Sequence, residues 1–375
     1  MTVQIARAVP FFNYPAVFTS REGEFVEIFR EVGRRGAFIL QRELVEFEQS
    51  LGRYLGTPLV LGVANATDGL HLAVRAAEIG PGDEVILSSH TMIATAAAVH
   101  FAGATPVPVD CGADHLIDPA AAEAAITART RAIMPTHLNG RTCNMDALEA
   151  LAAKHSLTIV EDAAQALGSQ FKGRAAGTFG AGAAISFYPA KVLGCFGDGG
   201  AVIAGNQQIY DRLYQLRDHG RSAAGEIEGW GLNSRLDNLQ AAFLLAQFKD
   251  YGQVVSRRRS LSRLYTERLR DVGEVVLPPA PDSDPDHFDI YQNYEIEAER
   301  RDVLKQFLKD NGIGTLIQWG GQAVHQLKAL GFTQELERTD RLFKRMLMLP
   351  MNMSLADEDV EYVCDAVRAF YGYKA

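Results

Sequence analysis

Lys191 stands in the run Ser186-Phe187-Tyr188-Pro189-Ala190-Lys191, ahead of Gly197-Asp198-Gly199-Gly200. Upstream, Asp162 ends the apolar run Leu157-Thr158-Ile159-Val160-Glu161-Asp162, with Gln165 three residues further on. A lysine amine forms a Schiff base with an aldehyde, and a buried carboxylate keeps a pyridine nitrogen protonated. The pair predicts a pyridoxal phosphate (PLP) site. Lys191 is then the catalytic residue, first as the Schiff-base amine and then as general acid and base in a 1,3-proton shift. Asp162 is the partner of the ring nitrogen. Gln165 packs on the ring or hydrogen-bonds its phenolic oxygen.

A phosphate needs its own cradle. Asn65-Ala66-Thr67-Asp68-Gly69-Leu70 joins a strand to a helix. The backbone N–H groups around Ala66 and the Thr67 hydroxyl suit an anion at a helix N-terminus, and Ser186 offers another hydroxyl. Each residue also has a plainer reading. Asp162, Asn65 and Thr67 could cap ordinary helices, and most lysines are simply surface residues. Asn233, in Asn233-Ser234-Arg235-Leu236-Asp237, is either an N-cap or a phosphate contact supplied across a dimer interface.

The surrounding pattern is of strands alternating with helices. Residues 20–56 read as two helical segments, the second closed by Gly56. Strands are expected at 59–63, 84–87, 106–110, 132–136, 183–187 and 200–203, besides the one ending at Asp162. Helices are expected at 68–79, 91–103 and 145–155. This alternation predicts an α/β fold, a mostly parallel sheet with helices on both faces. Asn233 to Glu274 reads as one long helical stretch linking the sheet to a C-terminal region. A Pro-rich break follows at 278–285, then a strand at 289–296 and helices at 301–311 and 357–370. The division expected is a large cofactor-binding domain over 1–250, including the N-terminal helical segment, and a smaller C-terminal α/β domain over 251–375.

The 375 residues are 47% hydrophobic and 22% charged, as in ordinary globular proteins. A net charge of −9 and the lack of a basic stripe argue against nucleic acid as a partner. Arg257-Arg258-Arg259 is the densest basic cluster and reads as a solvated helix face. Cys111, Cys143, Cys195 and Cys364 form no CxxC pair, so no metal site is expected. The stretch Met1 to Arg7 has no apolar core of signal-peptide length, and no run approaches a membrane span, so a cytoplasmic protein with no membrane partner is expected.

Taken together, these segments resemble the PLP-dependent nucleotide-sugar aminotransferases of the DegT/DnrJ/StrS type, fold-type I. The resemblance runs in order from about residue 25 to the C-terminus. It rests on the Phe47-Glu48 helix, Asn65-Ala66-Thr67-Asp68, His90-Thr91-Met92-Ile93-Ala94-Thr95, Glu161-Asp162-Ala163-Ala164-Gln165, the Ser186 to Gly200 block, Arg217-Asp218-His219-Gly220, Asn233-Ser234-Arg235-Leu236-Asp237 and Leu349-Pro350-Met351. It implies Lys191 as the Schiff-base residue, Asp162 at the pyridine nitrogen, and Thr67, Ser186 and Asn233 at the phosphate. It implies a homodimer with shared active sites, in which Asn233 comes from the partner subunit. Glutamate is the implied amino donor and a keto-sugar nucleotide the acceptor, with Tyr188 and His325 where such enzymes often contact the sugar nucleotide.

Three segments depart from the commoner pattern. Met92 replaces a frequent aromatic residue that packs on the cofactor ring. His137-Leu138-Asn139-Gly140 lacks a frequent Tyr. Gln318-Trp319-Gly320-Gly321 replaces a Tyr-Pro form, and Trp319 packs either on the substrate's base or sugar or in the core. Lys191 argues against the sugar dehydratases of the same family, which carry histidine there. The intact Asp162, Gln165 and Lys191 set argues against a non-catalytic regulatory protein. By analogy between subfamilies, Phe187-Tyr188-Pro189-Ala190-Lys191 with Gly197-Asp198-Gly199-Gly200 leans toward a 3-keto sugar, a 4-keto sugar being the alternative.

Overall fold

Seven strands and the helices between them make the frame that carries Asp162 and Lys191. In the computed structural model, which describes residues 7–374, these strands are β1 (Val60–Val63), β2 (Glu84–Ser88), β3 (Thr105–Val109), β4 (Thr130–Met134), β5 (Thr158–Asp162), β8 (Gly182–Ser186) and β9 (Gly200–Ala204). Two short strands intervene, β6 (Gln170–Phe171) and β7 (Arg174–Ala175). Met1 to Ala6, part of the N-terminal stretch read above, lie outside the described residues.

The sheet order is β1-β9-β8-β5-β4-β2-β3. The pairs from β8 to β3 are parallel, while β9 is antiparallel to both β8 and β1. The carboxyl ends of β1, β8, β5, β4, β2 and β3 therefore share one edge. β2 and β9 are buried along their whole length, as a sheet covered on both faces requires. The fold is α/β, with helices flanking a mostly parallel sheet.

Local sequence explains the helices that matter for the site. Helix Ala66–Ala76 starts at Asn65, whose side chain accepts from the Asp68 N–H at 2.8 Å. Gly69 lets this helix sit close on the sheet, since a Cβ there would lie 3.0 Å from Ala184 Cβ. Helices Glu22–Arg35 and Arg42–Leu55 end at Gly36 and Gly56, both left-handed.

The stretch expected to be helical from Asn233 to Glu274 is broken. Residues 233–237 run extended, with bridges Asp218 to Asn233 and Ile39 to Asp237. Two helices follow, Asn238–Phe248 and Tyr251–Leu269. The second spans two cores. Tyr251 and Val255 pack under the large sheet, whereas Leu261, Tyr265 and Leu269 pack in the C-terminal unit. Its basic cluster is not a solvated face: Arg258 and Arg259 are buried, because main-chain carbonyls and the Asp282 carboxylate receive them.

The C-terminal unit is built on an antiparallel sheet of β10 (Val275–Val276), β12 (Tyr294–Ala298) and β13 (Met346–Leu349). A second short strand, β11 (His287–Phe288), pairs with β6. The strand expected at 289–296 begins later, at Tyr294, since Tyr291 takes a left-handed φ of 52°. Val9, near the other end of the chain, belongs to the C-terminal core and bridges to Ile313.

A charged cluster ties this unit to loops beyond β2 and β3. His115 contacts Glu295 at 2.9 Å and Glu297 at 3.2 Å, and His90 lies 3.5 Å from Glu295. Burial alone would push the His115 imidazole down, but hydrogen bonds and charge from the two glutamates outweigh it and lift it to about 9. A histidine raised in the folded state stabilises fully below the unfolded pKa of about 6.5, and that contribution fades as pH rises toward 9. His115→Gln should therefore cost about 2 kcal/mol near pH 6, with the gap to the parent narrowing above pH 9. Denaturant titrations at pH 6, 7.5 and 9.5 check this; a gap independent of pH would contradict it.

Candidate active site

The carboxyl edge of the sheet gathers most of the residues singled out by the sequence. Asp162 ends β5 and is 4% exposed. Its Oδ2 accepts from Thr95 Oγ1 at 2.6 Å and its Oδ1 from the Ala164 N–H at 3.1 Å. Thr95 also meets Thr91 at 2.7 Å, and Thr91 meets Thr136 at 2.9 Å, so a row of hydroxyls fixes the carboxylate's orientation. Each carboxylate oxygen keeps further acceptor capacity.

Lys191 follows β8 in a tight turn closed by its own N–H to Tyr188 O at 2.8 Å. Gln292 brackets this turn. Its Oε1 accepts from the Val192 N–H at 2.9 Å and its Nε2 donates to Ala190 O at 2.8 Å. Burial pushes the Lys191 ammonium down to about 8, with the nearby Asp162 carboxylate acting in the opposite direction. An amine so placed has a substantial neutral fraction near neutral pH, which nucleophilic attack on a carbonyl requires.

Gln165 and Ser186 line a small cavity with Lys191. The Gln165 Oε1 accepts from the Asn139 N–H at 2.9 Å, which orients the amide. Lys191 and the exposed Tyr188 also line a much larger cavity of about 700 Å³, walled by Phe11, Tyr14, Phe196 and Met351 among others.

The strand-to-helix turn after β1 reaches the same edge. Ala66 and Thr67 begin the helix, so their N–H groups have no intrahelical acceptor, and among the described residues none receives them. Gly200 passes so close that a Cβ would lie 2.6 Å from Asn65 C and 2.8 Å from Ala66 N. Met92 is 46% exposed and caps helix Ile93–Phe101, its sulfur receiving the Ala94 N–H.

Three expected site residues line neither cavity of Lys191 in the single chain. Asn233 is exposed and lines neither cavity of Lys191, although the adjacent Ser234 hydroxyl accepts from the Ala64 N–H just before the helix turn. His325 is 1% exposed, with Nδ1 2.7 Å from Ser89 Oγ and Nε2 3.1 Å from Asp340. Trp319 packs against His90 and Phe343, with ring centroids at 5.4 and 6.3 Å. In the single chain, the side chains of His325 and Trp319 are thus engaged in packing and hydrogen bonds outside the two cavities that Lys191 lines.

Other residues were not legible as site components. Gln292 and Asn293 come from a segment expected to be plain strand, and only its irregular path delivers them here. Thr95 lay in a quoted segment, but nothing in the sequence marked it as the Asp162 partner. Glu161, beside Asp162, is structural: it accepts from the N–H groups of Gly177, Phe179 and Gly180, each at 2.7 Å, and from His137 at 2.9 Å.

A doubly flanked parallel sheet with a lysine and a carboxylate converging at its carboxyl edge defines a class of cofactor-dependent group-transfer proteins. The chain belongs to the DegT/DnrJ/EryC1/StrS aminotransferase family, whose sequence profile matches residues 19–368. It is 41% identical to the dTDP-3-amino-3,4,6-trideoxy-alpha-D-glucose transaminase of Streptomyces venezuelae, over 96% of this chain and 95% of that one. Among solved structures it is similar to S. venezuelae DesV, with a TM-score of 0.93 and 39% identity over 99% of this chain and 100% of that chain. The NtdA protein of Bacillus subtilis, solved with bound cofactor PMP, superimposes with a TM-score of 0.89 at 27% identity, over 98% of this chain and 87% of that one.

Proposed function

We propose that this chain is a PLP-dependent aminotransferase that moves an amino group from an amino acid, glutamate, to a keto-sugar nucleotide, with the keto group at C3 of the sugar. The observation that carries the reading is the juxtaposition of Lys191 with the clamped Asp162 carboxylate at the sheet's carboxyl edge. The 3-amino product named for the S. venezuelae relative supports the C3 position.

The donor set fits pyridoxal phosphate. Lys191 supplies an amine able to bond its aldehyde, Asp162 a carboxylate for its ring nitrogen, and Ala66 and Thr67 free N–H groups at a helix N-terminus for its phosphate. The bound cofactor supplies the electron sink that makes carbon–hydrogen cleavage beside the amine possible. The residues do the rest. Asp162, held by Thr95 and the Ala164 N–H, keeps the ring nitrogen protonated. Lys191 Nζ, once free, would carry the proton of the 1,3-shift, taking it from the substrate carbon and delivering it at the other end of the three-atom unit rather than back to the same carbon. Ser186 and Thr67 offer hydroxyls to the phosphate. Gln165 faces the same cavity as Lys191, and Met92 borders the segment that carries Thr95.

The active unit in this reading is a homodimer. Exposed apolar side chains support it: Trp230 is 92% exposed, and Phe29 and Phe38 lie open on the N-terminal helical segment. Asn233, exposed beside the helix turn, serves the partner's phosphate. If so, mixing Lys191→Ala and Asn233→Ala chains should regain activity above either parent, because one site of each mixed dimer carries neither lesion. The absence of any regain after verified subunit exchange would place Asn233 in its own chain's site.

The substrate assignment is tested with glutamate as donor and a panel of 3-keto and 4-keto dTDP-, UDP- and GDP-sugars as acceptors. Amination of a 3-keto acceptor alone is expected. Preference for a 4-keto sugar would overturn the regiochemistry and leave the aminotransferase reading intact.

A further inference from the structure

Among the described residues four arginines are buried: Arg217, Arg258, Arg259 and Arg301. Three of them have carboxylate partners. Arg217 meets Glu48 at 2.6 Å, Arg301 meets Asp302 at 2.7 Å, and Arg259 pairs with Asp282. Arg258, only 5% exposed, has no carboxylate within ion-pair distance. Taking a guanidinium out of water without a counter-charge is costly, so an uncompensated one calls for an anion.

Main-chain oxygens hold two of its nitrogens. Nε donates to Tyr291 O at 2.8 Å, and Nη2 donates to Gln292 O at 2.6 Å and to Met351 O at 2.8 Å. Nη1 has no partner among the described residues, and the side chain lines the 700 Å³ cavity that Lys191 also lines. Burial without an anion pushes the guanidinium down to about 10, and it remains a cation at neutral pH. The two groups are also joined through one residue, since Arg258 fixes the Gln292 backbone while the Gln292 side chain brackets Lys191.

We infer that Arg258 is the carboxylate anchor for the amino-acid donor, its free Nη1 donating to the carboxylate next to the amine that Lys191's site must receive. This rests on the aminotransferase reading. With Nε and Nη2 engaged by main-chain oxygens, Nη1 still offers its N–H donors to a carboxylate oxygen in a charge-assisted hydrogen bond. An amino acid carries that group on the very carbon that bears its amine, whereas a sugar nucleotide's phosphates lie several bonds from the ring carbon that is aminated. One cation in the cavity that Lys191 also lines thus suits the donor better than the diphosphate.

The test uses the cofactor-loaded protein and separates the two half-reactions. Arg258→Met and Arg258→Gln should each raise the half-saturating glutamate concentration about 100-fold, with the sugar half-reaction and the affinity for free dTDP and UDP kept within about threefold. A purely structural role predicts something else: both half-reactions slow together with half-saturation unchanged. Gln292→Leu, which loosens the Lys191 turn and keeps the cation, is the control for that pattern. Unchanged glutamate half-saturation, or a loss of nucleoside diphosphate affinity instead, overturns the inference. If either variant fails to fold, the other is read alone. If the parent protein transfers no amino group at all, the functional reading fails, and calorimetry with 2-oxoglutarate then decides: binding that the variants abolish supports the anchor, and binding unaffected by them removes it.

Discussion

Replacing Lys191 with alanine is expected to lower amino transfer by at least about 10⁴-fold while the protein remains folded. Two roles are lost at once, the covalent hold on the cofactor and the proton carrier, and neither has a substitute nearby. The side chain makes no hydrogen bond that stabilises the turn, which is held by the Lys191 N–H and by Gln292. Burial disfavours the Lys191 ammonium in the folded chain, so its removal should not lower the unfolding temperature of the cofactor-free protein. Rate assays and thermal unfolding of the same preparation check both halves. Substantial turnover in the variant would remove Lys191 from the chemistry.

Asp162→Asn should reduce the rate by about 10²–10³-fold, since an amide keeps the shape but cannot hold the ring nitrogen's proton by charge. Asparagine's one oxygen can keep the Ala164 N–H while its NH2 faces the Thr95 hydroxyl, which can turn to accept, so the fold should be little affected. The same change removes the carboxylate that opposes burial at Lys191, so in the cofactor-free variant the lysine should titrate below about 8. Thr95→Val is expected to show a weaker version of the rate defect, as it frees the carboxylate without removing it. An Asp162→Asn variant with parental rate and bound cofactor would mean that the nitrogen's partner lies elsewhere.

The elements that position Asp162 and Lys191 were readable because each strand is a short apolar run bounded by Gly, Pro or polar residues. Met145–His155 shows the strongest case, with both ends given by periodicity and a left-handed Ser156 after it. The break between helices Asn238–Phe248 and Tyr251–Leu269 was not readable. Residues 233–237 hold three cap or turn formers, Asn233, Ser234 and Asp237, that the helical pattern following them masks, and pairing with Asp218 and Ile39, far apart in sequence, fixes them as extended. For the same reason Arg258 looked like a surface residue: three consecutive arginines suggest solvent until the carbonyls of Tyr291, Gln292 and Met351 arrive around one of them. Helix Glu337–Arg345 and strand β13 also escaped, since neither has a run of pattern long enough to stand out.

The covalent site can be located directly. The purified protein, loaded with pyridoxal phosphate, is reduced with borohydride, digested and sequenced by mass spectrometry. The account predicts a phosphopyridoxyl mass on the peptide containing Lys191 and on no other lysine in comparable yield. The label on a different lysine, or no stable label despite bound cofactor, would contradict it.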